Sequence, residues 1–359
     1  MKINLLDLFS GIGGFHLGLS QAGFKVNSYY SEIDKYAIKT YNHNFKNSTY
    51  VGSVTNIQRN RLPKRINAIT FGSPCQDFSL AGKRKGLDGD RSSLISEAIN
   101  LISEFKPDFF IWENVKGTFS SNNGEDFWAI IKAFTDIGGY RLEWQLLNTS
   151  WFLPQNRERI YLVGYTSNKS RGQIFPIGEI SKENNNTNDF LTTNTIHSRY
   201  TADSTGSYIE ESYKVSSATK RGYEIANPGD SVNLSQPSSK TRRGRVGKQQ
   251  AQTLETSCNQ AVIGYSRDKK GKVTNYHEKN EANTLHSKSG GGGNTDQYIT
   301  NKQNIRRLSP IECERLQGFP DNWTLAEDNS DTQRYKMIGN AVTVDVVKAV
   351  GERIIKTLY

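Results

Sequence analysis

Cysteine is scarce in this chain. The three present in 359 residues, Cys75, Cys258 and Cys313, are widely spaced and odd in number. That argues against a disulfide framework or a clustered zinc site and predicts a reducing compartment. Long apolar runs are also missing. Nothing approaches the ~20 apolar residues needed to span a bilayer, and Asp7 interrupts the N-terminal apolar run too early for a signal peptide. The expectation is a soluble, cytoplasmic protein with no membrane partner and no metal. Negative charge is in short supply as well. Only 36 Asp and Glu stand against 46 Lys and Arg, a net charge of +10, which suits a polyanion such as nucleic acid. At 35% hydrophobic, the chain can bury the core of one large domain or two modest ones.

Through about residue 165 short β-like runs alternate with helical patterns, the mark of a mostly parallel α/β sheet. Strands are expected at 3–9, 26–31, 66–71 and 109–112, with later, antiparallel strands at 144–147 and 159–165. Helices are expected over about 13–22 and 92–105 and at 342–358, with a further helix start at Ser309-Pro310. From about 168 to 302 Asn, Ser, Thr and Gly dominate, and residues 165–302 hold six of the excess positive charges. Short β-like segments at 260–265, 274–277 and 297–300 make this a loop-rich β domain rather than a linker. It also repeats itself. Asn194-Thr-Ile-His-Ser-Arg199 is echoed by Asn283-Thr-Leu-His-Ser-Lys288 and, more weakly, by Gln252-Thr-Leu-Glu-Thr-Ser257, which reads as internal duplication.

Four segments carry chemistry-bearing residues. Cys75, in Phe71-Gly-Ser-Pro-Cys-Gln-Asp-Phe-Ser79, follows a buried strand and so falls at a carboxyl edge, where open α/β sheets bind ligands; a thiolate there is a candidate nucleophile. Glu113, in Glu113-Asn-Val115, follows the Phe109–Trp112 strand and projects over the same edge. Its apolar neighbours favour a protonated carboxyl able to donate. In Gln155-Asn-Arg157-Glu-Arg159, alternation places Gln155, Arg157 and Arg159 on one face, suited to a phosphate or a base edge. Asp7-Leu-Phe-Ser-Gly-Ile-Gly-Gly-Phe15 is a strand, a glycine turn and a helix start, where backbone can approach a nucleotide-like ligand. Glu32, at the end of the next strand, is placed for ribose hydroxyls. His16 stands where the dinucleotide fingerprint has its third glycine, which disfavours a nicotinamide enzyme.

Together these segments resemble the bacterial and phage C5-cytosine-specific DNA methyltransferases, in that family's order. Two later segments extend the resemblance, Arg307–Trp323 with Arg315-Leu-Gln-Gly-Phe-Pro320, and Gln333–Val344 with Gly339-Asn-Ala-Val342. The resemblance implies a methyltransferase of Rossmann-like mixed α/β fold with a smaller β-rich target-recognition domain. Residues 1–168 plus 335–359 would form the catalytic domain, 169–304 the recognition domain, and 305–334 a connecting segment.

By the same resemblance the cofactor is S-adenosyl-L-methionine and the substrate a cytosine flipped out of double-stranded DNA, since C6 cannot be attacked inside a stacked duplex. Cys75 would attack C6, Glu113 protonate N3, Arg159 hold O2, and Arg157 brace the nucleophile loop or backbone. The cofactor would meet Phe9 through its adenine, Glu32 through its ribose, and Asn340, Ala341 and the turn at Asp7, Gly11, Gly13 and Gly14 through its methionine end, with Pro74 beside them. Two departures stand out. Gly52-Ser53 replaces a frequent Gly-Asp, so Ser53 keeps a hydroxyl but no carboxylate, and Ile33 replaces a frequent aromatic.

DNA contacts are expected from Gln76 and Ser79, and from a mobile basic loop carrying Lys83, Arg84, Lys85 and Arg91. A second strip, Lys240, Arg242, Arg243 and Arg245, is basic and glycine-spaced. Thr-Leu or Thr-Ile pairs mark recognition modules in this family. The candidates are Thr195-Ile196, Thr253-Leu254 and Thr284-Leu285, of which Thr284 and Leu285 are taken as contacts. A cognate restriction endonuclease is a further partner of this class, and the chain is expected to act as a monomer. Rival readings are a tRNA cytosine methyltransferase and a catalytically idle DNA-binding regulator.

Overall fold

Residues Lys2–Leu8 alternate so that Ile3 and Leu5 join one apolar cluster and Leu6 and Leu8 another, all fully buried. A strand apolar on both faces belongs inside a sheet covered on both sides, and this one, β1, sits between two parallel neighbours. A computed structural model describes residues 1–73, 93–166, 172–178, 213–227, 230–233, 241–254, 260–264, 298–300 and 303–359. The chain divides into two compact units. One comprises Met1–Leu153, Arg157–Gly178 and Pro310–Tyr359, and the other Pro154–Asn156 and Glu179–Ser309.

In the first unit β1 is followed by α1 (Gly14–Gln21), β2 (Lys25–Ser31), α2 (Lys35–Asn44), β3 (Thr49–Tyr50) and β4 (Ala68–Gly72). Next come α3 (Ser93–Phe105), β5 (Phe109–Val115), α4 (Glu125–Asp136) and β6 (Tyr140–Asn148). Past the short β7 (Gln155–Asn156) of the second unit, β8 (Glu158–Thr166) returns to the sheet. The seven strands run in the order β3-β2-β1-β4-β5-β8-β6. The first five are parallel, β8 alone is reversed, and β6, antiparallel to β8, runs with the first five again. This is the mixed α/β architecture expected from the sequence. The reversal brings the start of β8 to the edge where β1, β4 and β5 end.

The second unit contains a hairpin of β9 (Tyr213–Ser216) and β10 (Tyr223–Ala226). Strands β11 (Ser231–Asn233) and β12 (Val246–Gly247) precede β13 (Ala251–Gln252), which pairs parallel with β7. With β14 (Gln260–Gly264), β15 (Tyr298–Thr300) and β16 (Gln303–Arg307) they give an antiparallel sheet ordered β12-β11-β14-β16-β15. The expected strand at 274–277 and the repeats at 194–199 and 283–288 lie outside the described residues.

The chain then re-enters the first unit as α5 (Pro310–Leu316), α6 (Asp331–Asn340) and α7 (Val344–Leu358). Val346, Val347, Val350 and Ile354 of α7 close one face of the sheet with Leu19 of α1, while Ile102 of α3 and Phe134 of α4 close the other. The tightest point of the α1–α7 contact is Gly18. A Cβ there would lie 2.6 Å from Val347 Cβ and 2.9 Å from the Val344 carbonyl oxygen.

Overpacking in Gly18→Ala should cost about 2–3 kcal/mol, the upper part of the usual range because a backbone oxygen is among the atoms struck. The ~1 kcal/mol that alanine gains in a helix leaves a net destabilisation of about 1–2 kcal/mol. Urea denaturation measures it, and an unchanged or raised midpoint would contradict this packing.

Candidate active site

The glycine turn after β1 is fixed by its backbone. Phe9 and Gly11 adopt left-handed φ values of 50° and 52°, and Gly13 one of 87°. Ser10 N–H donates to the Ser31 carbonyl at 3.0 Å, and Gly13 N–H to the Ser10 carbonyl at 2.9 Å. A side chain at 13 would strike the Phe45 ring at 2.4 Å, and one at 14 would strike Val342 at 2.7 Å. Gly11 differs, because a Cβ there would meet nothing within 4 Å. The turn is thus closed behind and open in front.

Glu32 ties this turn to the end of β2. Its carboxylate accepts from Gly11 N–H at 2.8 Å, Ile33 N–H at 2.7 Å and Asp34 N–H at 2.9 Å. A carboxylate offers about four acceptor sites, so one remains for a ligand hydroxyl. Ile33 is 80% exposed. Ser53 starts a short 3-10 turn, its hydroxyl 3.1 Å from that of Thr55.

Asp7 does not face the edge. It is fully buried, with its carboxylate accepting from the Thr70 hydroxyl at 2.8 Å and the Tyr41 hydroxyl at 3.4 Å. Burial pushes its carboxyl up to about 8. The expected cofactor contact at Asp7 is thus, in this structure, a support for the turn from beneath. The Tyr41 hydroxyl also meets Ser28 Oγ at 2.7 Å and His16 Nδ1 at 3.1 Å, and three partners saturate a phenol. His16 stacks on Phe45 with ring centroids 3.7 Å apart, and burial pushes its imidazole down to about 4. The position that departs from the dinucleotide fingerprint is therefore a packing position. Sequence reading did not identify this network, since its members are spread over residues 7–70.

The carboxyl edge of β4 and β5 is assembled by register. Gly72 of β4 lies beside Glu113 of β5, and a Cβ at 72 would come within 3.1 Å of Glu113 Oε2. Val115 lies opposite Arg159. Arg159 Nε stands 3.2 Å from Glu113 Oε1, in a pair only 17% and 10% exposed at the side chains, and Arg159 also donates to the Glu158 carbonyl at 2.8 Å. Ser73 Oγ accepts from Trp112 Nε1 and Asn114 Nδ2, both at 3.1 Å. The chain leaving β4 is thus anchored at the residue before Pro74-Cys75. Arg157 is 3% exposed and donates to the carbonyls of Gly339 at 3.4 Å and Ala341 at 2.9 Å. It grips the backbone on either side of Asn340, whose own side chain is exposed.

Of the other expected site residues, Pro74, Cys75, Gln76, Ser79, Lys83, Arg84, Lys85, Arg91, Lys240, Thr284 and Leu285 lie outside the described residues, as does Thr195-Ile196. Within the second unit Arg242 is half-buried and Arg243 exposed, its Nε donating to the Ala218 carbonyl at 2.9 Å. Arg245 is 3% exposed, so its expected DNA contact is not supported by its placement here. Thr253, of the second Thr-Leu pair, donates to the Asn156 carbonyl at 2.9 Å, and Leu254 is buried beside it. No helix among the described residues is long and apolar enough to cross a membrane.

Solved methyltransferases share this fold. The Entamoeba histolytica methyltransferase EhMeth matches with a TM-score of 0.59 at 19% identity, covering 99% of this chain and 98% of that one. The Schizosaccharomyces pombe enzyme, "S. pombe Dnmt2 methyltransferase", matches at 0.57 and 18%, covering 99% of each. More specifically, the chain belongs to the family described as C-5 cytosine-specific DNA methylase, matched over residues 3–356. It is 30% identical over 364 residues to the type II methyltransferase M.Bsp6I of Bacillus sp. (strain RFL6), covering 99% of both. It is 31% identical to M1.ScrFI of Lactococcus lactis subsp. cremoris, covering 99% of this chain and 79% of that protein. The chain is a DNA cytosine-5 methyltransferase, and neither rival reading is favoured.

The lowered His16 value has a stability consequence. Above pH 6.5 the imidazole is neutral in both folded and unfolded chains. As pH falls from 6.5 towards 4 the unfolded chain gains a proton that the folded one refuses, costing up to about 3 kcal/mol. Asp7 acts in the opposite direction, because its raised carboxyl costs stability as pH climbs towards 8. The stability advantage of wild type over His16→Asn should therefore shrink between pH 7 and pH 4.5 in urea denaturation. A pH-independent difference would contradict a buried neutral imidazole.

Proposed function

We propose that this enzyme methylates C5 of a cytosine at a specific sequence in double-stranded DNA, with S-adenosyl-L-methionine as donor and Cys75 as nucleophile. The observation that carries the reading is the Glu113–Arg159 pair lying over Gly72, two residues before Pro74-Cys75. Cytosine is poorly electrophilic at C6 and weakly nucleophilic at C5. Attack by the Cys75 thiolate on C6, with Glu113 giving a proton to N3, turns the ring into an enamine whose C5 is nucleophilic. Arg159 holds O2 and supports the developing charge. Once C5 carries the methyl group, loss of the C5 proton to a solvent base expels the thiolate, and N3 returns its proton to Glu113. Arg157 acts through the backbone by fixing the turn around Asn340.

The residues present fit the donor. Gly11 is open in front, Ser10 Oγ is buried with no hydrogen-bond partner, and Glu32 retains an acceptor site. Glu32 would take the ribose hydroxyls, Phe9 and Ile33 the adenine, and Asn340 with the glycine-turn amides the methionine end. Ser53 would offer a hydroxyl to the adenine amino group. When bound, the donor supplies an electrophilic methyl on a sulfonium. The basic second unit is assigned to target recognition, and the first unit to catalysis. The type II relatives make a cognate restriction endonuclease a natural companion, and a monomer acting on DNA in a bacterial cytoplasm is the working form.

Incubation with unmethylated genomic DNA and S-adenosylmethionine, followed by sequencing for 5-methylcytosine, tests this reading. Methylation at one short motif is expected, abolished in Cys75→Ser and reduced on the order of 10²-fold or more in Glu113→Gln, the scale of a lost general acid. Full activity in Cys75→Ser would refute the assignment.

A further inference from the structure

In the described parts of the second unit, seven Lys and Arg within residues 213–254 stand against two carboxylates, Glu224 and Asp230. Both carboxylates are turned inward. Glu224 accepts from the amides of Gly244, Arg245 and Val246 at 3.0, 2.7 and 3.1 Å. Asp230, 1% exposed, accepts from Asn227 N–H at 2.8 Å and Lys248 Nζ at 2.6 Å. The negative charge is spent on holding the hairpin to the 241–249 segment, and Lys248 is neutralised in the process.

The tip of the β9–β10 hairpin is different. Its turn is closed by Ser217 N–H on the Gly222 carbonyl at 3.0 Å, Gly222 N–H on the Thr219 carbonyl at 2.9 Å, and the Thr219 hydroxyl on the Tyr223 carbonyl at 3.1 Å. Gly222 sits at a φ of 73°, which glycine adopts without strain. The rigid turn projects Lys220 and Arg221, both exposed. Among the described residues no carboxylate pairs with either of them. Behind them lies a cleft of about 600 Å³ lined by Tyr223, Ile225 and Val246 as well as the tip, with Ile225 40% exposed.

We propose that the β9–β10 hairpin is a DNA-backbone clamp in which Lys220 and Arg221 each contact a phosphate. This rests on the reading of the second unit as the DNA-binding unit and names an element within it. A two-stranded ribbon has the dimensions of the major groove, and cations held on a pre-closed turn lose little freedom on binding. Phosphate contacts orient a protein on the duplex without carrying sequence information. The tip therefore sets register and affinity, while the motif is read elsewhere.

The test is the salt dependence of duplex binding by the full-length protein, by fluorescence anisotropy on a labelled duplex carrying the motif found by methylation sequencing. The slope of log Kd against log salt should fall by about 2 in Lys220→Ala/Arg221→Ala, close to 1 per phosphate contact, with the methylated motif unchanged. A Lys2→Ala/Lys132→Ala control removes the same charge elsewhere and should keep the wild-type slope. An unchanged slope in the tip variant, or an equal drop in the control, would overturn the clamp. A changed motif would also overturn it, since it would make the tip a base reader. Wild-type protein that binds no duplex at all would instead refute the underlying reading, before any variant is compared.

Discussion

The antiparallel pairing of β8 with β5 is the constraint on which the site depends. Parallel strands end at one edge, so their carboxyl ends supply Glu113, Ser73 and the glycine turn. A parallel β8 would deliver its last residues there and carry Arg157 and Arg159 to the far side. Running in reverse, it brings its first residues instead, with Val115 opposite Arg159, and the guanidinium reaches Glu113 at 3.2 Å. A one-residue slip of β8 would turn Arg159 to the other face and leave Glu113 without it. The buried apolar residues of both strands, Ile111 and Val163 on one face and Phe110 and Leu162 on the other, fix that register. The apolar core thereby sets the geometry of the polar pair.

Around that pair, polar side chains are tied to backbone or to one another. Glu32 collects amides at the glycine turn, Ser73 is held by Trp112 and Asn114, and Arg157 grips the carbonyls flanking Asn340. The Gln-Gly-Phe segment works in the same way. Gln317, fully buried, accepts from the Thr343 hydroxyl at 2.8 Å, and Glu314 is buried against Arg334 at 3.1 Å. A buried polar group left unpaired costs more than a made bond returns. Removing any of these partners therefore disturbs the turn it supports, and each turn carries an edge residue.

Much of this was legible in the sequence. Strands buried on both faces announce themselves, and the strands expected at 3–9, 26–31 and 109–112 match β1, β2 and the first part of β5 to within a residue or so at the shared ends. Of the two later strands expected to be antiparallel, β8 runs against the sheet, whereas β6, paired antiparallel with β8, runs with the first five. α6 was missed because Asp331–Asn340 is polar and ends in Gly339-Asn340, so its periodicity is weak. α4 went unread although Phe127, Ile130, Ile131 and Phe134 recur at helical spacing along its buried face. At the site, Glu113 and Arg159 could be placed at one edge from strand order. The burial of Asp7 and Arg245 could not, because it depends on partners far along the chain, such as Thr70 and Tyr41 for Asp7. The role of His16 was hidden for the same reason.

The central claim is that Cys75 bonds to C6 of a cytosine activated at this edge. The most direct measurement is the intact mass of protein incubated with S-adenosylmethionine and a duplex whose motif cytosine carries fluorine at C5. Release of the thiolate requires loss of the C5 proton, and fluorine cannot leave as a proton. The account predicts a stable one-to-one protein–DNA adduct mapping to Cys75 and absent in Cys75→Ala. No adduct in the wild type, or an adduct that survives in Cys75→Ala, would contradict it.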